Sequence, residues 1–134
     1  MLSFEDFKLT TPLSNALKDL GYTEPTPIQE AAFNVLCAGK DVVGIAQTGT
    51  GKTLAYSLPI IRNLEYSVQE NPRVLIMVPT RELVVQVVDS LEALNVYTNR
   101  RVLGVYGGTN INTQKQQISE GIDILVATPG RLYD

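Results

Sequence analysis

The chain has 134 residues, a length typical of one domain around one hydrophobic core. Its formal net charge of −3 argues against a protein that coats nucleic acid through bulk positive charge, so any nucleic-acid contact must be local. The sequence has no histidine and one cysteine, which excludes a His-based triad, a His-ligated zinc site and an internal disulfide. No apolar run reaches membrane-spanning length and the first residues are acidic, so we expect a cytoplasmic protein with no membrane partner.

Two helices are predicted before residue 40. Thr11 is placed to cap the first helix, which begins with a proline, and Gly21 ends it. Thr26 repeats this start signal and Gln29 follows three residues later, so these two residues are expected to form a capping box. The second helix is predicted to run to about Cys37.

From residue 41 onwards the pattern changes to short β-branched runs that alternate with helical segments. Nearly continuous apolar strands of this kind are typical of buried parallel sheets. The pattern predicts an α/β fold with a doubly wound parallel sheet and right-handed crossovers. The predicted strands are Asp41–Ala46, Arg73–Val78, Arg101–Tyr106 and Asp123–Ala127, and the predicted helices are Lys52–Tyr66, in which Pro59 should cause a kink, Arg81–Leu94 and Asn112–Ser119.

A glycine-rich turn lies between the first of these strands and the helix that follows it. Gly49 and Gly51 allow the backbone to wrap closely around a polyphosphate, and the N–H groups of the helix start face the anion. Lys52 can reach the β- and γ-phosphates, while the Thr53 hydroxyl is placed to ligate Mg²⁺. The alternative is an ordinary glycine turn that caps a helix. The complete turn reads Ala46-Gln47-Thr48-Gly49-Thr50-Gly51-Lys52-Thr53.

Each of the four predicted strands is followed by a loop of distinctive residues. Ligands of doubly wound sheets bind outside the carboxyl ends of the strands. We therefore expect the four loops to share one edge of the sheet. The loops are Ala46–Thr53, Pro79–Leu83, Gly107-Gly108 and Thr128–Arg131.

With these residues in this order, the sequence resembles the first RecA-like domain of the DEAD-box ATP-dependent RNA helicases, a P-loop NTPase fold. The resemblance covers nearly the whole chain, from Phe4 to Arg131. The first segment, from Gly21 to Gln29, is similar to the Q motif, and Phe4 stands at the position of an isolated upstream aromatic residue. The four loops are similar to motif I, motif Ia, the double-glycine motif and the motif that follows it.

The resemblance implies that Gln29 recognises the adenine of ATP through a bidentate amide contact, with Phe4 and Tyr22 lining the base pocket. The alternatives are the capping-box bond for Gln29 and plain packing for the two aromatic residues. The resemblance also implies that Lys52 contacts the phosphates and that Thr53 binds Mg²⁺, so that both residues take part directly in catalysis.

The resemblance further implies a set of residues that hold the RNA backbone without reading its bases. An N-cap role for Thr80 and simple solvation of Arg131 are the alternatives at two of these positions. The implied RNA-binding residues are Thr80, Arg81, Gly108, Thr128, Gly130 and Arg131.

The sequence ends at Leu132-Tyr133-Asp134, before the Asp-Glu-Ala-Asp motif, the Ser-Ala-Thr motif and the second RecA-like domain of this family. We therefore expect residues 1–134 to be a domain incomplete at its C-terminus, with N-terminal helices and the Q motif in 1–40 and a strand and helix core in 41–134. The second RecA-like domain is its expected partner. In the family, two strands from the missing part separate the strand before motif I from the strand before motif Ia.

The predicted activity of the parent protein is that of an ATP-dependent RNA helicase. We expect no ATP hydrolysis by residues 1–134 alone, and either self-association or poor solubility because of the gap in the sheet. An ATP-gated RNA clamp or assembly platform remains an alternative, since it would share every motif. A third alternative is an unrelated P-loop enzyme such as a small-molecule kinase, which the Gln29 region and the Pro79–Leu83 loop disfavour.

Overall fold

A computed structural model describes residues 3–47, 49, 51–65, 69–108 and 111–133. The chain divides into two units, Met1–Glu65 with Ala93–Thr98 and Tyr66–Glu92 with Asn99–Asp134. The predicted division at residue 40 stays a prediction. Within the described ranges, no helix is both long and apolar enough to cross a membrane.

Helices and parallel strands make up the described part of the chain, which confirms the α/β class. A single 3₁₀ turn, Phe4–Asp6, precedes them. The helices are α1 (Thr11–Asp19), α2 (Pro27–Cys37), α3 (Lys52–Asn63), α4 (Arg81–Leu94), α5 (Ile111–Ser119) and α6 (Pro129–Tyr133). The strands are β1 (Val74–Met77), β2 (Val102–Val105) and β3 (Ile124–Ala127).

The first helix begins one residue earlier than the sequence predicted. Thr10 has extended dihedral angles and its carbonyl accepts the N–H of Ser14 at 2.9 Å, which is the first bond of the helix. Thr11 is therefore already helical, and the prediction that it caps α1 is wrong. Leu13 and Leu17 form the buried face of this helix.

Aromatic contacts tie the N-terminal segment to α2. The rings of Phe7 and Phe33 stack with centroids 4.3 Å apart, and Phe4 meets Phe7 edge to face at 5.5 Å. The Phe4 N–H also donates to the Thr23 carbonyl at 3.0 Å. Because Phe4 and Phe33 are both buried, this segment belongs to the hydrophobic core of the first unit.

The predicted strand Asp41–Ala46 is wrong. These residues have no regular secondary structure, and Val43 and Ile45 are each 90% exposed. The reason is that a strand needs a neighbour for its backbone hydrogen bonds, and no described segment pairs with this one. The apolar, β-branched composition of the segment favours a strand only when such a neighbour is present.

The third helix, α3, ends at Asn63 rather than at Tyr66, and Tyr66 lies outside the described residues. Leu64 is extended, and the Asn63 side chain donates to the Cys37 carbonyl at 3.0 Å, which holds the end of α3 against the end of α2. Pro59 is buried inside the continuous helix.

In the second unit, the three strands form a parallel sheet in the order β1-β3-β2. All four residues of the central strand β3 are buried, whereas Leu75 and Met77 on the edge strand β1 are half-exposed. Strands β1 and β2 are each shorter than predicted by one residue at both ends, and β3 is shorter by one residue at its amino end. The charged residues just before the strands belong instead to an ion-pair cluster.

Helix α4 lies unusually close to strand β2. A Cβ atom added to Gly104 would lie 2.7 Å from Val84 Cγ1 and 2.9 Å from Val88 Cγ2. These distances are shorter than van der Waals contact, so only glycine allows this spacing between the helix and the strand.

The ion-pair cluster joins the amino ends of the three strands. Asp123 precedes β3 and is only 2% exposed, and its carboxylate binds the Arg73 guanidinium at 2.9 Å and the Arg101 guanidinium at 3.1 Å. The Arg101 backbone N–H donates to the same carboxylate at 2.9 Å. Burial opposes ionisation, but the bonds from Arg101 and Arg73 outweigh it and lower the pKa of Asp123 from 3.8 to about 2.

This cluster should make the free energy of unfolding depend on pH. The lowered pKa corresponds to about 2 kcal/mol of stability that is present above pH 4 and is lost as the pH falls towards 2. Asp123→Asn should reduce the free energy of unfolding at pH 7 by roughly 3 kcal/mol, because it leaves the arginines without their buried partner. The variant should also lose the Asp123 contribution to the pH dependence, so its free energy of unfolding should fall less between pH 4 and pH 2. Urea unfolding followed by circular dichroism at several pH values measures both effects.

Asp89→Asn, on an exposed position of α4, is the matched control and should change little. Equal acid sensitivity of Asp123→Asn and the unsubstituted protein would contradict the assignment.

Candidate functional site

The glycine-rich turn enters α3 with the backbone conformation that the sequence predicted. Gly49 has φ +82° and Gly51 has φ +85°, and α3 begins at Lys52. The N–H groups of the first turn of α3 have no partners within the helix and are available to an anion. Ala46 is partly buried and Gln47 is exposed, whereas the predicted site residues Thr48 and Thr50 lie outside the described residues.

Gln29 connects the second helix to this turn. Its Oε1 accepts the Thr26 N–H at 2.9 Å, which confirms the Gln29 half of the capping box. Its Nε2 donates to the Gly51 carbonyl at 3.1 Å. Gln29 is only 5% exposed, so the carboxamide is an internal brace of the turn. The predicted contact with adenine stays a prediction.

Lys52 and Thr53 occupy the first turn of α3, next to an apolar cavity of ≈ 320 Å³. Lys52 is exposed at the rim, while Ile28 and Leu36 line the wall. Tyr56 also lines the cavity. Burial raises the pKa of Tyr56, an effect that a hydrogen bond with the Thr53 side chain partly offsets. Sequence reasoning did not select Tyr56, although its position three residues after Thr53 places the two side chains on one helix face.

The structure brings Phe4 and Tyr22 together. Both line a cavity of ≈ 240 Å³ whose polar wall includes Lys18 and Ser14. Phe4 is buried and Tyr22 is half-exposed. Among the described residues, none from the turn 46–53 lines this cavity, so the predicted role of the two aromatic residues at adenine stays a prediction.

In the second unit, three of the four predicted loops follow the carboxyl ends of β1, β2 and β3. Thr80 caps α4, since its hydroxyl accepts the Leu83 N–H at 3.2 Å and its carbonyl accepts the Val84 N–H at 3.1 Å. Thr128 follows β3, and its N–H donates to the Val105 carbonyl at 3.2 Å. The fourth loop, 46–53, does not follow a strand, because its predicted strand is absent from the described structure.

Two arginines lie against the loop that follows β2. The Arg81 guanidinium is 3.3 Å from the position of a Cβ atom on Gly108, and it forms a weak, exposed ion pair with Glu82 at 3.8 Å. The Arg131 Nε donates to the Tyr106 carbonyl at 3.0 Å. Arg131 is therefore not a simply solvated side chain, since it is partly buried and holds this loop. The structure brings Arg81, Gly108 and Arg131 to one end of β2, while Gly130 is exposed in α6.

Together, these features define an α/β protein with a glycine-rich turn at a helix start and with polar loops at the carboxyl ends of parallel strands. The family model for DEAD/DEAH box helicases matches residues 26–134. The chain therefore belongs to the DEAD/DEAH box helicase family, which confirms the resemblance seen in the sequence.

Curated relatives agree with this assignment. The chain is 42% identical over 133 residues to the ATP-dependent RNA helicase DeaD of Escherichia coli, covering 98% of this chain and 21% of that protein. It is 42% identical over 137 residues to the protein of the same name from Buchnera aphidicola, covering 99% of this chain and 22% of the relative. A probable ATP-dependent RNA helicase of Homo sapiens is 43% identical over 135 residues, covering 99% of this chain and 18% of the relative. The chain thus spans only a minor part, 18–22%, of these relatives.

Of the two glycines of the turn, Gly51 has less room for a side chain, because Gln29 lies against it. A Cβ atom on Gly51 would lie 2.3 Å from Gln29 Nε2, whereas one on Gly49 would meet nothing within 4 Å. Gly49→Ala should cost about 1–2 kcal/mol through its positive φ alone. Gly51→Ala should cost more, because it also displaces the Gln29 side chain. Urea unfolding measures the two losses in free energy.

Most of the excess cost of Gly51→Ala over Gly49→Ala should disappear in a Gln29→Ala background, because the Gln29 amide is then gone and only Thr26 Cγ2 remains close, at 3.3 Å. An excess that persists in that background would show that the Gln29 contact is not its cause.

Proposed function

We propose that the chain binds ATP at the turn 46–53 and the RNA sugar-phosphate backbone through the loops of the second unit, as part of an ATP-dependent RNA helicase. The observation that carries the proposal is the glycine turn at the start of α3, braced by Gln29 through the Gly51 carbonyl. Family membership supports it, because the matched relatives bear that name. A second RecA-like domain would be the partner that completes the ATP and RNA sites.

At the phosphates, each group of the turn has a distinct task. The first N–H groups of α3 donate to the phosphate oxygens, and the exposed Lys52 ammonium neutralises their charge. The Thr53 hydroxyl supplies an oxygen ligand for a hard cation. These donors fit a Mg–nucleotide, and the narrow space at Gly51, where even a Cβ would clash, keeps the turn in that shape.

The Mg²⁺ would neutralise charge on the phosphates when bound. No group of three or more acidic, cysteine or histidine side chains within the described ranges could hold a metal alone. We therefore assign the ligation of Mg²⁺ to the Thr53 hydroxyl together with the nucleotide phosphates. Mg²⁺ commonly keeps several waters and binds through few protein ligands.

Recognition of adenine is assigned to Gln29. A carboxamide has two N–H donors and two acceptor lone pairs, and the bonds to Thr26 and Gly51 use one of each. A bidentate contact with adenine needs one further donor and one further lone pair. The bracing and recognition roles are therefore compatible, and guanine would present the reverse order of donor and acceptor.

Nucleotide selectivity tests this assignment. Gln29→Ala should weaken ATP binding by about 1–3 kcal/mol and narrow the preference for ATP over GTP. Because Gln29 also braces the turn, binding of inorganic tripolyphosphate measures the part of the loss that does not depend on the base. Calorimetric titration with the three ligands separates the two parts.

Lys52→Ala is the control, since it should weaken all three ligands alike through the phosphates. Equal affinity of the unsubstituted protein for ATP and GTP would refute the adenine role of Gln29.

RNA binding is assigned to the carboxyl end of the three-stranded sheet. The groups there are the Arg81 guanidinium, the Thr80 and Thr128 hydroxyls and the backbone at Gly108, all of which suit phosphate and ribose rather than base edges. Because the net charge of the chain is −3, attraction of RNA depends on these local groups.

Arg81→Ala should therefore weaken the binding of several single-stranded RNAs by the same factor and reduce the slope of log K against log salt by about one. Fluorescence anisotropy at several salt concentrations measures both quantities. Lys40→Ala, which removes one exposed positive charge from the other unit, should leave the slope unchanged. Strong preference of the unsubstituted protein for one RNA sequence would count against a backbone site.

A further inference from the structure

Helix α5 has a polar residue on its inner face. Positions 111, 114 and 118 are spaced by three and four residues, so they lie on one face of the helix. Ile111 and Ile118 are partly buried, and Ile118 packs against a core cluster that includes Val105 and Leu125. Gln114 lies between them and is only 7% exposed. The sequence thus has a carboxamide where the pattern of the helix favours an apolar side chain.

The buried carboxamide of Gln114 is directed at the end of β2. Burial of an amide costs free energy unless the amide forms hydrogen bonds. Gln114 Nε2 donates to the Tyr106 carbonyl at 3.5 Å, and Arg131 Nε donates to the same oxygen at 3.0 Å. A carbonyl oxygen has two lone pairs and can accept both bonds. One side chain from α5 and one from α6 therefore hold the same carbonyl.

The Tyr106 carbonyl belongs to the peptide unit that leads into Gly107. This peptide is trans, so its carbonyl and the Gly107 N–H point in opposite directions. Because the carbonyl faces Gln114 and Arg131, the Gly107 N–H is directed away from these two side chains. The preceding carbonyl, that of Val105, accepts the Thr128 N–H at 3.2 Å. The backbone is thus fixed up to the start of the double-glycine loop.

The loop beyond this peptide lies next to Arg81. Gly107 and Gly108 are exposed, and a Cβ atom on Gly108 would lie 3.3 Å from Arg81 Nη1. Backbone N–H groups and a guanidinium suit the phosphates of RNA. A rotation of the peptide before Gly107 would therefore alter the donors that lie beside this guanidinium.

We propose that Gln114 is a positioning residue for RNA binding. Through the Tyr106 carbonyl, it holds the peptide before Gly107 with the N–H turned outward, where the loop can donate to a phosphate. This inference rests on the proposed RNA-binding function and adds to it a residue that contacts no RNA, because its side chain is buried.

Gln114→Met tests the inference, because methionine is similarly long and unbranched but donates no hydrogen bond. Fluorescence anisotropy with labelled oligo(A), oligo(U) and oligo(C) measures the affinities. Each affinity should fall roughly threefold, the effect of losing one weak neutral hydrogen bond. The slope of log K against log salt should not change, because no charged contact with phosphate is lost. Arg81→Ala, in contrast, should reduce this slope.

Two measurements without RNA separate positioning from a purely structural role. The free energy of unfolding of Gln114→Met in urea should change little, because the Tyr106 carbonyl keeps its bond from Arg131 and methionine suits the apolar surroundings. The amide resonance of Gly107 in a ¹⁵N–¹H correlation spectrum should shift, because the peptide before it is less restrained.

Gln117→Met is the matched control, since it makes the same substitution at an exposed position of α5. It should leave the RNA affinities and the Gly107 resonance unchanged. In a Gly108→Ala background, Gln114→Met should cost less RNA affinity than it does alone, because the loop is already displaced.

The inference is overturned if Gln114→Met binds RNA as tightly as the unsubstituted protein, or if its affinity falls only in proportion to the fraction of folded protein. An equal loss in Gln117→Met would also overturn it. Failure of the unsubstituted protein to bind any of the three RNAs is a different result. It would contradict the proposed RNA-binding function itself, and the inference would fall with it.

Discussion

The hydrogen bond from the Gln29 carboxamide to the Gly51 carbonyl fixes the start of α3 against α2. The same carbonyl accepts the Ala55 N–H at 3.1 Å, so one backbone oxygen serves both the first turn of the helix and the brace. A carbonyl has two lone pairs and can accept both bonds. Once this oxygen is fixed, the register of α3 determines where Lys52 and Thr53 lie. The chemistry of the turn thus depends on a buried amide from another helix.

In the second unit, the ion-pair cluster and the loops proposed to bind RNA lie at opposite ends of the sheet. Asp123, Arg73 and Arg101 meet at the amino ends of the strands, where an ionised carboxylate is buried and fully paired. The loops with Thr80 and Gly108 occupy the opposite, carboxyl ends. Parallel sheets commonly bind ligands at the carboxyl end. The buried ion pair therefore holds the strands at the end of the sheet that lies away from the proposed RNA-binding loops.

Structural features that depend on residues close together in the sequence were predicted well. The glycine turn, the Gln29 contact with Thr26 and the Thr80 cap each depend on residues within a few positions of one another. The prediction of a strand at 41–46 was wrong. Amino-acid composition indicates only the propensity of a segment to form a strand, whereas strand formation also requires a neighbouring strand to pair with. The Asp123 cluster was missed for a related reason, since its arginines lie 50 and 22 positions away. No spacing rule connects residues so far apart.

The close approach of α4 to Gly104 has a mechanical consequence for the position of Arg81. Val84 touches the strand only one helical turn after Thr80 and Arg81, and a helix moves nearly as a rigid rod over so short a distance. Any methyl group added at Gly104 would push this rod outward and carry the Arg81 guanidinium with it. The position of the Arg81 guanidinium at the carboxyl end of the sheet thus depends on the missing side chain of Gly104.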